Sequence, residues 1–216
     1  MLDVMMGAEV GDDIYGEDPS VTALEEYVAK LLGKEAAMFV PSGTMANQIA
    51  ISLHTNHGDS IIAEDESHCF LYEAGGAAAL SGVQFQFIPW SEGFSDEAIE
   101  LAYKPEWMHY ATSKLLIVEN THNRAAGRVF DKTEMDRITA KAHMLGLKAH
   151  CDGARIWNAA VATKTSEKDL AAGLDSIACC FSKGLGAPVG SALAGDADFI
   201  ERGRKVRKRF GGAMRQ

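Results

Sequence analysis

The chain has 216 residues, 47% apolar and 24% charged, an ordinary folded-protein composition that excludes disordered and fibrous classes. Twenty-one Lys plus Arg against 30 Asp plus Glu give a net charge of −9, which argues against general nucleic-acid affinity. No apolar run approaches the ~18 residues of a membrane helix, and the start, MLDVMMGAEVGDD, turns acidic too soon for a signal peptide.

A helix starts almost at Met1. Asp18-Pro19 opens the next, with Asp18 placed to cap it, Val21, Leu24, Val28, Leu31 and Leu32 at helical spacing, and Gly33 to close it. Ala36 to Val40 reads as a strand, and Ser42-Gly43-Thr44 turns into a helix running towards His54. Further buried-strand candidates are Ser60 to Ala63, Val83 to Ile88, Leu115 to Val118, Leu147 to Cys151, Ile177 to Phe181 and Val189 to Ala194. Helical patterns separate most of them, among them Lys132 to Leu145 and Asp196 to Arg209. This alternation predicts an α/β domain with a mostly parallel sheet covered on both faces. Cys69, Cys151, Cys179 and Cys180 include no CxxC spacing, so no zinc site or disulfide framework is expected. Cys151, Cys179 and Cys180 read as buried reduced thiols, pointing to a cytosolic or organelle-matrix protein.

In open α/β sheets, ligands bind beyond the carboxyl ends of the strands, and three constellations lie there. Pro41-Ser42-Gly43-Thr44-Met45-Ala46-Asn47 combines glycine, two hydroxyls and a helix N-terminus, which suits a phosphate or carboxylate; the same residues also read as a plain N-cap. His150-Cys151-Asp152-Gly153-Ala154-Arg155 offers an acid for a protonated ring nitrogen and an arginine for an anion. Taken alone, it reads first as an Asp that caps the next helix and pairs with Arg155. Cys179-Cys180-Phe181-Ser182-Lys183-Gly184 puts a lysine behind a wholly apolar strand, where desolvation would free the amine as a nucleophile; the rival reading is a surface loop lysine. Phosphate cradle, acid and amine together match the three handles of pyridoxal phosphate.

The stretches GAEVGDDIYGEDPSV (7–21), GKEAAMFVPSGTMAN (33–47), ENTHN (119–123), HCDGARIWNA (150–159), SKGLGAPVGS (182–191) and RKRFGGAMRQ (207–216) closely resemble the low-specificity L-threonine aldolases. These belong to the aspartate-aminotransferase-like (fold type I) pyridoxal-phosphate enzymes. The resemblance implies a three-layer α/β/α fold, with residues 1–216 as the cofactor-binding large domain. It implies Lys183 as the Schiff-base lysine, Asp152 on the pyridine nitrogen, and Ser42, Gly43, Thr44 and Ser182 around the phosphate. It implies His68 over the cofactor ring, Arg155 on the cofactor phenolate or substrate carboxylate, and His122 facing the substrate side chain. Lys208 and Arg215 would serve a neighbouring subunit's phosphate site, so a homodimer or homotetramer sharing its sites is expected. The implied reaction is cleavage of L-threonine or L-allo-threonine to glycine and acetaldehyde, by a cytoplasmic enzyme with no metal. His68, His122 or water held by them would be the base.

Two departures from the family pattern set a second expectation. The family's segment before VGDD and its smaller C-terminal domain both supply substrate-carboxylate ligands, and both lie outside these 216 residues. The expected alternatives are therefore a substrate-incompetent cofactor-binding domain, or a related amino-acid lyase or racemase. Ala126 stands where glycine is usual, and Cys69 follows the stacking histidine. His54, His57, His109 and His143 read as structural, Glu119, Asp12 and Asp13 as loop stabilisers, and Trp157 and Tyr72 as packing.

Overall fold

A computed structural model describes residues 1–215. Helix α1 (Leu2–Met6) and a short 3-10 turn (Asp13–Tyr15) lead to α2 (Pro19–Leu32). Asp18 Oδ1 accepts the Val21 N–H at 2.9 Å, and Gly33 ends the helix in a left-handed conformation, as the cap residues predict. Then follow β1 (Ala36–Val40), α3 (Gly43–His54), β2 (Ser60–Glu64), α4 (His68–Leu71), α5 (Gly76–Ser81), β3 (Gln84–Ile88) and α6 (Asp96–Ala102). The chain continues through β4 (Ser113–Glu119), α7 (Lys132–Met144), β5 (Lys148–Gly153), α8 (Ile156–Thr163), α9 (Glu167–Ala171), β6 (Ser176–Cys180), β7 (Ser191–Gly195) and α10 (Ala197–Arg209).

The strands form one sheet in the order β1-β7-β6-β5-β4-β2-β3. All pairings are parallel except those of β7, which runs antiparallel to both its neighbours. Side chains alternate across the sheet as the pleat requires. Leu116, Val118, Ala149, Cys151, Ile177 and Cys179 pack under α2 and α6 to α9. Leu115, Ile117, Ala178 and Leu193 face the side covered by α3, α5 and α10. This is the three-layer α/β/α arrangement with a mostly parallel sheet that the alternation predicts. No helix among the described residues is long and apolar enough to cross a membrane.

The strands run further into polar sequence than apolar runs alone suggest. β4 extends to Glu119 and β5 to Gly153, and their register sets Glu119 beside Asp152. Since β4 and β5 are parallel, both acids stand at the carboxyl edge, on the α3 side of the sheet. All four cysteines are buried free thiols.

Past β4, the loop 120–127 holds Ala126 at φ 54, a left-handed conformation that disfavours any Cβ. Ala126→Gly should therefore stabilise the fold by ~0.5–1 kcal/mol, as relief of strain outweighs the added unfolded-state entropy. Urea unfolding would read this as a higher midpoint with an unchanged slope.

Candidate active site

A cleft of about 310 Å³ opens at the carboxyl edge of the sheet. Ser42, Gly43, Thr44, Asn47, His68, Asp152, Ser182 and Lys183 line it, with Cys180 and Pro188 to Gly190. Four chain segments far apart in sequence thus converge on one space.

The first segment is the N-terminus of α3. Ser42 caps it, its Oγ accepting the Met45 N–H at 3.2 Å, so the plain N-cap reading holds as well. The first-turn N–H groups of Gly43 and Thr44 have no helical partner and sit at the positive end of the helix dipole. Gly43 is required here by close approach, since a Cβ would stand 2.9 Å from Cys180 Sγ.

The second is the end of β5. Asp152 Oδ1 accepts the Ala154 N–H at 3.2 Å, and Oδ2 accepts from Asn47 Nδ2 at 2.8 Å. Arg155 occupies the N-cap position of α8 and does not line the cleft. Among the described residues it forms no ion pair with Asp152, so the pairing considered from sequence is not made.

The third is the loop from Phe181 to Gly190, which joins β6 to β7. Lys183 is exposed here, contrary to the desolvation expected from the apolar strand before it. The reason is that β6 ends at Cys180, and residues 182–186 run across the surface.

His68 begins α4, where its N–H donates to Glu119 Oε2 at 2.8 Å. Its Nδ1 lies 3.1 Å from Glu73 Oε1 and 3.9 Å from Asp152 Oδ2. Glu73 also accepts from Asn47 Nδ2 at 2.8 Å and Gln48 Nε2 at 2.7 Å. The hydrogen bond that its ring gives to Glu73 raises the His68 pKa above its ordinary value, against partial burial. Burial, with Asp152 nearby, raises that of Glu119, which ties down its loop through His68 and Asn123. His68, Glu73 and Asp152 hold three potential metal ligands within 4.8 Å of one another, but the Asn47 amide already bridges the two carboxylates.

The remaining expected residues lie elsewhere. His122 is fully buried and outside the cleft lining. Its Nδ1 accepts the Ala125 N–H at 3.2 Å, and its Nε2 lies 3.2 Å from Glu64 Oε2. Burial works to lower its pKa, but Glu64 and Glu119 outweigh it and the net shift is upward. Nδ1 is thus taken up by the Ala125 N–H, while Nε2 is buried beside the Glu64 carboxylate without a hydrogen bond, so the whole ring is shut inside the fold. Lys208 lines a separate cleft of about 590 Å³ with Asp13, Tyr15, Arg204 and Arg207. Arg215 pairs with Asp12, which lowers the Asp12 pKa, and lies over the Tyr15 ring at 5.8 Å. Asp13 holds Arg207 at 2.9 Å. Trp157 packs and donates its indole N–H to the Cys180 carbonyl at 2.9 Å, while Tyr72 lies tilted against His68.

A model of the beta-eliminating lyase family matches residues 1–216. The chain belongs to the beta-eliminating lyase family. That family depends on pyridoxal phosphate. The chain is 44% identical to the low specificity L-threonine aldolase of Escherichia coli strain K12, over all of this chain and 65% of that protein. It is 42% identical to low-specificity L-threonine aldolase 1 of Arabidopsis thaliana, over all of this chain and 62% of that protein. Among solved structures, a Leishmania major threonine aldolase aligns with a TM-score of 0.87 at 26% identity, over all of this chain and 63% of that one. The chain thus spans just under two thirds of the length of these relatives.

The residues fit such a cofactor. The open first turn of α3 suits a phosphate, Asp152 a protonated ring nitrogen, and the Lys183 amine an aldehyde, all on one lining. Asn47, Glu73, Gln48 and His150 were not singled out from sequence. The available signals were Asn47 one helical turn beyond Gly43, and His150 two positions before Asp152 on the same strand face.

Glu73→Gln should move the His68 pKa downward, read from the ring protons in an NMR pH titration. Because the shift being removed is upward, the pair's stabilisation is complete below about 6.5 and fades as pH rises through the folded value. The variant should accordingly lose stability at mildly acidic pH and little at high pH.

Proposed function

We propose that this chain forms the cofactor-binding domain of a pyridoxal-phosphate aldolase that cleaves L-threonine and L-allo-threonine to glycine and acetaldehyde. The observation that carries this reading is the convergence of the α3 N-terminus, Asp152, Lys183 and His68 on one cleft. The aldolase names of the relatives support the choice of reaction.

Pyridoxal phosphate, when bound, supplies an aldehyde for amines and a ring that accepts the electrons left on Cα. Ser42, Gly43, Thr44 and Ser182 would bind its phosphate through N–H and hydroxyl donors. Lys183 would supply the resting amine, and Asp152 would hold a proton at the ring nitrogen by its negative charge. Arg155, next to the lining residue Ala154 but itself off the lining, would have to swing inward to take the phenolate or the substrate carboxylate.

The base is assigned to His68 rather than His122. Glu73 engages His68 Nδ1, which leaves Nε2 of the neutral ring as a free acceptor for the substrate hydroxyl proton. His122 is fully buried and lies outside the cleft lining, so its ring cannot meet a substrate there. Lys208 and Arg215 would serve a neighbouring copy's phosphate site, in a cytoplasmic homodimer or homotetramer.

Borohydride treatment with pyridoxal phosphate should fix the cofactor on Lys183, as read by peptide mass, and Lys183→Ala should abolish it. Acetaldehyde release from L-threonine should fall ~100- to 10,000-fold in His68→Asn, with cofactor uptake retained. Fixation on Lys183 without any product would favour a substrate-incompetent domain. A keto acid or D-amino acid would favour elimination or racemisation, and no fixation would overturn the reading.

A further inference from the structure

Behind the cleft, on the side away from the expected cofactor, polar side chains run in a line through the core. Asn47 Nδ2 donates to Asp152 Oδ2 at 2.8 Å and to Glu73 Oε1 at 2.8 Å. Asn47 Oδ1 lies 3.1 Å from His150 Nε2, and His150 Nδ1 lies 2.8 Å from Ser176 Oγ. Ser176 Oγ in turn lies 2.8 Å from His54 Nε2. Asn47, His150 and Ser176 are all buried, and His54 closes the row, its ring stacked on Phe199 at 4.6 Å.

The direction of every hydrogen follows from the two carboxylates. A carboxylate pair can only accept, so the amide must turn its NH2 towards Asp152 and Glu73. Its oxygen then needs a donor, which makes His150 the tautomer protonated on Nε2. Burial lowers the His150 pKa to about 3 and that of His54 to about 4, so both rings are neutral at physiological pH. Neutral His150 therefore accepts at Nδ1 from the Ser176 hydroxyl, and the Ser176 oxygen accepts from His54 Nε2–H. His54, Ser176 and His150 each give one hydrogen inward, and Asn47 gives two, one to Asp152 and one to Glu73.

We propose that His54, Ser176, His150 and Asn47 form a one-way donor chain that positions the Asp152 carboxylate against the cofactor's ring nitrogen. This inference rests on the function proposed above. These are positioning residues, since none but Asn47 reaches the cleft lining. The chain joins β5, β6 and α3, so the angle of the carboxylate is set by three elements at once. Reversing it would turn the Asn47 oxygen onto two carboxylates, which makes the Nε2 tautomer of His150 a structural requirement.

The test compares His150→Leu, His150→Gln and Ser176→Ala with the unaltered protein. Glutamine keeps a donor near the Nε2 position; leucine removes it. Before cofactor is added, long-range ¹H–¹⁵N spectra of the unaltered protein should show His54 and His150 neutral and protonated on Nε2. A proton on His150 Nδ1 would overturn the chain whatever the protein's function. With pyridoxal phosphate, His150→Leu should weaken uptake about tenfold and shift the pH at which the bound cofactor's visible band changes. His150→Gln should restore both to within about threefold, and Ser176→Ala, one link further out, should weaken uptake about threefold. Unchanged uptake and band profile in His150→Leu would overturn the positioning role. If leucine prevents folding, the Gln and Ser176→Ala values decide, and uptake unaltered in Ser176→Ala overturns it. The expected tautomers with no cofactor uptake by the unaltered protein would overturn the functional reading instead, and the role with it.

Discussion

Like charge is the constraint around which this cleft is built. Asp152 and Glu73 each lie 2.8 Å from a single amide nitrogen, that of Asn47, and both are buried. Two carboxylates so close are costly unless every oxygen is met by a donor. The fold meets them with the two hydrogens of Asn47, the amide of Gln48, the backbone N–H of Ala154 and the ring of His68. Asn47 and Gln48 are neighbours on α3, whose first turn also forms one wall of the cleft. One rigid helix therefore fixes the distance between an anion-accepting end and an acidic end. That distance is what a ligand with a phosphate at one end and a ring nitrogen at the other would measure.

The layered fold was legible because its causes are local. Runs such as Leu115 to Val118 and Ile177 to Cys180 are apolar on both faces, as buried parallel strands must be, and Asp18-Pro19 and Gly33 mark the ends of α2 by cap chemistry. The residues on the cleft lining from Ser42 to Thr44, with Asp152, Ser182 and Lys183, were legible as polar breaks after those runs. What stayed hidden depends on contact between distant segments. Glu73 sits in a loop with no pattern of its own, and only α3 packing over β5 brings Asn47 between it and Asp152. His122 carries a motif as good as that of His68. It differs because the fold buries the ring completely, with Ala125 on Nδ1 and Glu64, from another strand, beside Nε2. Lys183 misled for a related reason: the apolarity of β6 says nothing about a loop that leaves the sheet immediately after it.

The antiparallel course of β7 has an electrostatic consequence. After β5 the chain follows the usual pattern, strand then helix, and the acid Asp152 is succeeded within four residues by the start of α8. A helix start carries fractional positive charge, which suits an acid. After β6 that pattern breaks. The loop holding Lys183 returns directly into β7, closed by the Phe181 and Ser182 N–H groups on the Gly190 carbonyl at 3.0 and 3.3 Å. Gly190, at φ 107 with the Phe39 ring where a Cβ would be, makes that return possible. No helix start follows the lysine in the chain, so nothing after Lys183 corresponds to the α8 dipole that follows Asp152. Leaving out one crossover helix thus puts a helix start behind the acid that β5 delivers and none behind the lysine that follows β6.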